Sequence, residues 1–78
     1  MTKRRKNQIL KALTVIAPEK DGSITCYDSA QIKNVLTTQE LASFNDYITG
    51  QTGAIIDGKM CFYTWDFDRW LDGKPVID

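Results

Sequence analysis

Few residue types in this chain are equipped for chemistry. The 78 residues include no histidine and only two cysteines, Cys26 and Cys61. Without histidine, imidazole proton transfer and imidazole metal ligation fall away. The two cysteines lie on segments that read as strands, and in that setting they read as buried core thiols rather than as a redox pair or a metal half-site. A two-thiolate zinc site would need ligands from a second chain. Asp66, Asp68 and Asp72 sit close together near the C-terminus. A hard cation needs further oxygen ligands, and none is nearby in sequence. Asp66 reads instead as a helix cap, with Asp68 and Asp72 facing solvent beside Arg69. Gly50-Gln51-Thr52-Gly53 lacks the lysine and following helix of a phosphate-cradling loop. With no nucleophile–base pair, the expectation is a chain that is not an enzyme, with no cofactor, no metal and no small-molecule substrate.

Charge is the more informative chemistry. The chain is 42% hydrophobic and 26% charged, with a formal net charge of zero. That is the composition of one ordinary globular domain with a small core, so 1–78 is read as a single unit. The distribution is uneven. Lys3, Arg4, Arg5, Lys6, Lys11 and Lys20 face only Glu19 in the first twenty residues, a balance of +5. The rest of the chain is mildly acidic. An all-over basic nucleic-acid binder is excluded; a basic arm, 1–6, on a near-neutral body, 7–72, is not. The basic start does not continue into a secretory signal, because Lys11 interrupts the apolar run and no small-residue cleavage site follows. No stretch approaches the roughly 20 apolar residues of a membrane span, so no membrane partner is expected. Two cysteines are too few for a disulfide framework, which points to a reducing, cytoplasmic setting.

The elements that must position these residues follow from periodicity and punctuation. Ile9, Leu10, Leu13, Ile16 and Ala17 follow helical spacing, predicting a helix over 7–17 that Pro18 ends. The alternation of 23–27 predicts a strand. Asp28 with Gln31 marks the start of a second helix, 30–36. Thr37 and Glu40 form a capping box, flanked by the staple residues Leu36 and Leu41, so a third helix starts at Thr38 with Leu41, Phe44 and Ile48 as its apolar stripe. Gly50 is its expected stop. Asp57-Gly58 is a two-residue hairpin turn between apolar runs, predicting a hairpin over 53–64. There Ile55, Met60 and Phe62 share one face, and Ala54, Ile56, Cys61 and Tyr63 the other. A last helix is expected from an Asp66 cap to an Asp72-Gly73 stop, with Trp65 stapled to Trp70, leaving 73–78 as a tail.

This order of elements over 8–71 resembles the winged helix-turn-helix fold. The segment Tyr63-Thr64-Trp65-Asp66-Phe67-Asp68-Arg69-Trp70-Leu71 also looks like the end of small excisionase-type proteins. The resemblance implies an α+β, winged-helix-like domain of order α-β-α-α-β-β-α. Residues 38–49 would be its recognition helix and the hairpin its wing. It implies a small regulatory protein that binds DNA. The expected contacts are Gln39 and Ser43 on the helix, Lys59 on the wing, and Lys3, Arg4, Arg5 and Lys6 in the arm. The expected recognition helix departs from the family pattern, carrying Glu40 and Asp46 but no Arg or Lys. The competing expectation is a protein-binding module or homodimer, of the kind a phage- or plasmid-type inhibitor of a host complex would be. It would use Asp46, Tyr47, Tyr63, Trp65 and Trp70, since Trp and Tyr are favoured interface anchors.

Overall fold

The computed structural model of the chain describes residues 1–49 and 53–74. The expected Gly50 stop and residues 75–78 of the tail lie outside them. The chain forms an α+β domain with helices α1 (Lys3–Ala12), α2 (Ser29–Val35), α3 (Thr38–Tyr47) and α4 (Thr64–Leu71). Its strands are β1 (Val15–Ile16), β2 (Cys26–Asp28), β3 (Ala54–Ile56) and β4 (Lys59–Tyr63). All strand pairs are antiparallel, in the order β1-β2-β4-β3. Apart from β1, this is the expected order of elements.

The N-terminal reading needs correction. Lys3, Arg4, Arg5 and Lys6 are not an arm; they are the first turn of α1. Thr2 caps the helix, its Oγ1 accepting from the Arg5 N–H at 3.2 Å. The helix ends at Ala12 rather than Ala17. Leu13 is already extended, and the Thr14 N–H donates to Gln31 Oε1 at 3.0 Å, pinning the exit to α2. Thr14, Val15 and Ile16 are β-branched, which weakens a helix and suits a strand. Val15 and Ile16 accordingly pair with Tyr27 and Cys26. The expected strand 23–27 is likewise shorter and later, at Cys26–Asp28.

The middle of the chain folds as its local signals dictate. Asp28 caps α2 through a 2.9 Å bond from the Ala30 N–H. Both halves of the Thr37–Glu40 capping box are present. Asp57 and Gly58 adopt φ of 53° and 77°, the two positive values a type I′ turn needs. The register Ile55↔Met60 and Ile56↔Lys59 follows from that turn. At Gly53 a Cβ would lie 2.5 Å from the Cys61 carbonyl oxygen, so the strand entrance admits only glycine without a shift.

The start of α4 differs from expectation. Tyr63 is its N-cap, without a side-chain capping bond, and Asp66 lies inside the first turn, where a carboxylate still complements the helix dipole. The backbone enters α4 held by Thr25, the residue before β2: the Thr64 N–H donates to the Thr25 carbonyl, and the two threonine hydroxyls meet at 2.6 Å. Trp65 does not staple to Trp70. It stacks on Tyr63, with centroids 4.6 Å apart and planes 7° from parallel.

One core holds these elements together. Ile9, Leu13, Tyr27, Ile32, Leu36, Phe44, Phe67 and Leu71 are buried in it, with Leu41, Ile48, Phe62 and Trp70 packed against them. Phe44 is its centre, meeting Phe62, Phe67 and Trp70 edge-on at 5.2–5.3 Å. Such edge-to-face contacts add to the stabilisation from burial alone.

A candidate nucleic-acid interface

Two ion pairs fix α1 against the rest of the domain. Arg5 donates from Nε and Nη2 to the two Glu40 carboxylate oxygens, at 2.9 and 2.6 Å, and from Nη2 to the Val35 carbonyl at 3.0 Å. This is a two-pronged guanidinium–carboxylate contact, the geometrically specific kind. Glu40 also closes the capping box, so one carboxylate joins the first turn of α3 to the first turns of α1. The Arg5 hydrogen bond, with help from Thr37, holds the Glu40 carboxyl down at about 2. Lys6 Nζ meets Asp72 Oδ1 at 2.8 Å, tying α1 to the end of α4 and holding the Asp72 carboxyl below its ordinary value.

Arg5 and Lys6 are therefore structural, half-buried groups, whereas Lys3 and Arg4 are exposed. Gln39 is exposed in the first turn of α3, beside the Arg5–Glu40 contact in sequence. Ser43 is on the surface, and its hydroxyl accepts from Trp70 Nε1 at 3.2 Å. Lys59 lies at the hairpin tip, exposed. Asp46 is exposed and Tyr47 half-buried, with the Tyr47 hydroxyl enclosed and without a hydrogen-bond partner among the described residues. Tyr63 and Trp65 form the stacked pair, while Trp70 belongs largely to the core. Lys3 and Arg4 are exposed in the first turn of α1 and Gln39 in the first turn of α3, and the Arg5–Glu40 contact joins the two turns. Lys59, Tyr63 and Trp65 belong to the hairpin and its exit.

Sequence reasoning missed two features. The first is the outward side of α1, where Asn7, Gln8 and Lys11 are exposed together with Lys3 and Arg4. The spacing Arg4, Gln8, Lys11 would have shown it had the helix been started at Lys3. The second is an apolar cleft of about 340 Å³ between α2, α3 and β4, lined by Ile32, Leu41, Phe44, Met60 and Phe62 with Lys33 at its rim. On the same face of the hairpin, Ile55 is 77% exposed and Met60 43%. A more polar cleft of about 480 Å³ lies between α1 and α4, bordered by Lys3, Lys6, Tyr27, Asp68 and Asp72. There, burial and then the neighbouring Asp72 push the Asp68 carboxyl up.

Cys26 and Cys61 are fully buried free thiols. The pairings Cys26↔Tyr63 and Asp28↔Cys61 place them diagonally on adjacent strands, on the sheet face away from Tyr27 and Phe62. Burial raises both thiols, so neither is poised as a thiolate. Among the described residues no group of three or more Cys, Asp or Glu is arranged to hold a metal, and no helix is long and apolar enough to cross a membrane. Comparison with protein-family models, with curated proteins and with solved structures finds no match to this chain.

Proposed function

We propose that this is a small, non-enzymatic regulatory protein that binds DNA. The observation that carries this reading is the Arg5–Glu40 contact, which holds the cation-rich start of α1 against the first turn of α3. In a winged-helix-like frame, the start of the third helix is where a duplex is met. Lys3 and Arg4, exposed in the first turn of α1, supply positive charge that α3 lacks, and phosphate contacts of this kind supply most non-specific affinity. Titration of a fluorescent mixed-sequence duplex with the full chain at low salt tests it. Binding in the range of about 10⁻⁴ to 10⁻⁶ M that weakens as salt rises is the expected outcome. No change in anisotropy at low salt contradicts it.

A second reading, a protein-binding module, is favoured by the exposed Ile55 and Met60 beside the apolar cleft. Contiguous exposed apolar surface of this kind marks interaction sites. Under that reading, Ile55→Asp abolishes capture of a partner while Lys3→Ala/Arg4→Ala leaves it intact. The opposite pattern returns the choice to DNA.

A further inference from the structure

Resting on the DNA-binding reading, we infer that the duplex is held by the outward side of α1, through Lys3, Arg4, Asn7, Gln8 and Lys11, and not by the outward side of α3.

The argument begins with helical geometry. At 3.6 residues per turn, Arg4 and Lys11 lie two turns apart, within about 20° of one face and about 10 Å along the axis. Gln8 and Asn7 flank the line between them. The buried Ile9 and Leu13 define the opposite side, and the ion-paired Arg5 and Lys6 flank that buried side. Lys3 borders the cleft that holds Asp68 and Asp72, so its charge is partly offset. Neither Arg4 nor Lys11 lines that cleft, and neither forms an ion pair among the described residues.

The residue types fit one occupant. Double-stranded DNA carries about one negative charge per 1.7 Å of axis, so a ten-residue helix of about 15 Å meets several phosphates. Asn and Gln side chains, set between the cations, suit base edges, adenine above all. No acidic residue lies anywhere in Lys3–Ala12. On α3 the exposed side carries Gln39, Ser43, Asn45 and Asp46, with no cation, so that face gives a duplex nothing to neutralise. Lys3 and Arg4 also lie at the end of α1 where the helix dipole opposes them, whereas Lys11 lies in its last turn. Folding alone gives no reason to keep Lys3 and Arg4 there.

The test is a salt series of anisotropy titrations on one mixed-sequence duplex. It uses the full wild-type chain, Arg4→Ala/Lys11→Ala and Gln39→Ala/Asp46→Ala, each checked for an intact circular dichroism melt. With three phosphate contacts, wild-type affinity falls about 40-fold between 50 and 200 mM salt, and with one contact about 3.5-fold. The expected result is the first figure for the wild type and for the α3 variant, and the second for the α1 variant. A wild type that binds, with an α1 variant that matches it and an α3 variant that loses binding, overturns this inference and leaves the DNA-binding reading standing. A wild type that does not bind at 50 mM overturns both. Equal affinity of the wild type for anionic phosphatidylserine vesicles and for duplex would also overturn the inference, in favour of a membrane-surface role for the same cations.

Discussion

Helices α1 and α3 are both ten residues long, and they divide their work in opposite ways. Helix α3 is built for folding. It has a complete capping box and buries Phe44 at the centre of the core, with Leu41 and Ile48 beside it. Its exposed side is short, polar and uncharged apart from Asp46. Helix α1 buries only Ile9 within its span, and it places four cations at the end where the dipole opposes them. Two of those cations are neutralised by Glu40 and Asp72. The others, Lys3 and Arg4, are exposed, and Arg4 is aligned with Lys11. The element that a winged-helix frame would make the reader is thus a structural post, and the element it would make a scaffold carries the free charge. A fold places elements; the charges on them decide which surface meets a polyanion.

Changes that break or sharpen this contrast form a graded series. Phe44→Ala removes the ring that joins α3 to β4 and α4. It should cost about 3–5 kcal/mol, as large aromatic truncations in cores do. A domain this small has roughly that much net stability, so a urea melt should show it largely unfolded. The next effect is at Glu40, which joins the two helices. Its carboxyl is held at about 2 against an ordinary 4.5, so its contribution is complete above pH 4.5 and is lost as pH falls towards 2. The urea midpoint of the wild type should decline over that window. Glu40→Gln should start lower at neutral pH and decline less. Identical slopes for the two chains would mean that the Arg5–Glu40 contact does not form in solution.

Smaller effects separate the helices further. Thr37→Ala removes the side-chain half of the capping box and should cost about 1 kcal/mol in a thermal melt, with DNA affinity unchanged. Arg4→Ala should do the reverse. It relieves an unfavourable charge in the first turn, leaving stability level or raised by about 0.3 kcal/mol, while weakening DNA binding. Gln39→Ala/Asp46→Ala should be the quietest change, within about 0.5 kcal/mol of wild type by urea melt and silent in DNA titrations.

Much of this fold is legible in the sequence because its signals are local. Asp57-Gly58 specifies a turn by itself, and the pairing of Ile55 with Met60 follows from it. Thr37 with Glu40 specifies the start of α3, and Asp28 that of α2. What is not legible depends on distant partners. Lys3–Lys6 read as a solvated arm because the partners that make a helix there worthwhile, Glu40 and Asp72, are 35 and 66 positions away from Arg5 and Lys6. Ile16 continues the helical spacing of Ile9 and Leu13, and only the presence of β2 alongside turns Val15 and Ile16 into an edge strand. Trp65 read as a staple because Trp70 lies five residues on. The stacking partner Tyr63 is fixed by the strand-to-helix transition, which Thr25, just before β2, holds in place. The candidate interface inherited these gaps. The cations were found, but the face they share with Gln8 and Lys11 follows only from the true helix start. That Ile55 and Met60 lie exposed beside an apolar cleft, while Trp70 packs against the core, likewise depends on what the core absorbs.

The most direct test of the central claim is a residue-resolved titration. Two-dimensional amide NMR of the full chain would be followed at low salt as an unlabelled mixed-sequence duplex is added. The account predicts that the amide signals of Arg4, Asn7, Gln8 and Lys11 shift or broaden first, while those of Gln39, Ser43 and Asp46 stay in place. Perturbation confined to α3 and the hairpin, with α1 unchanged, would contradict it.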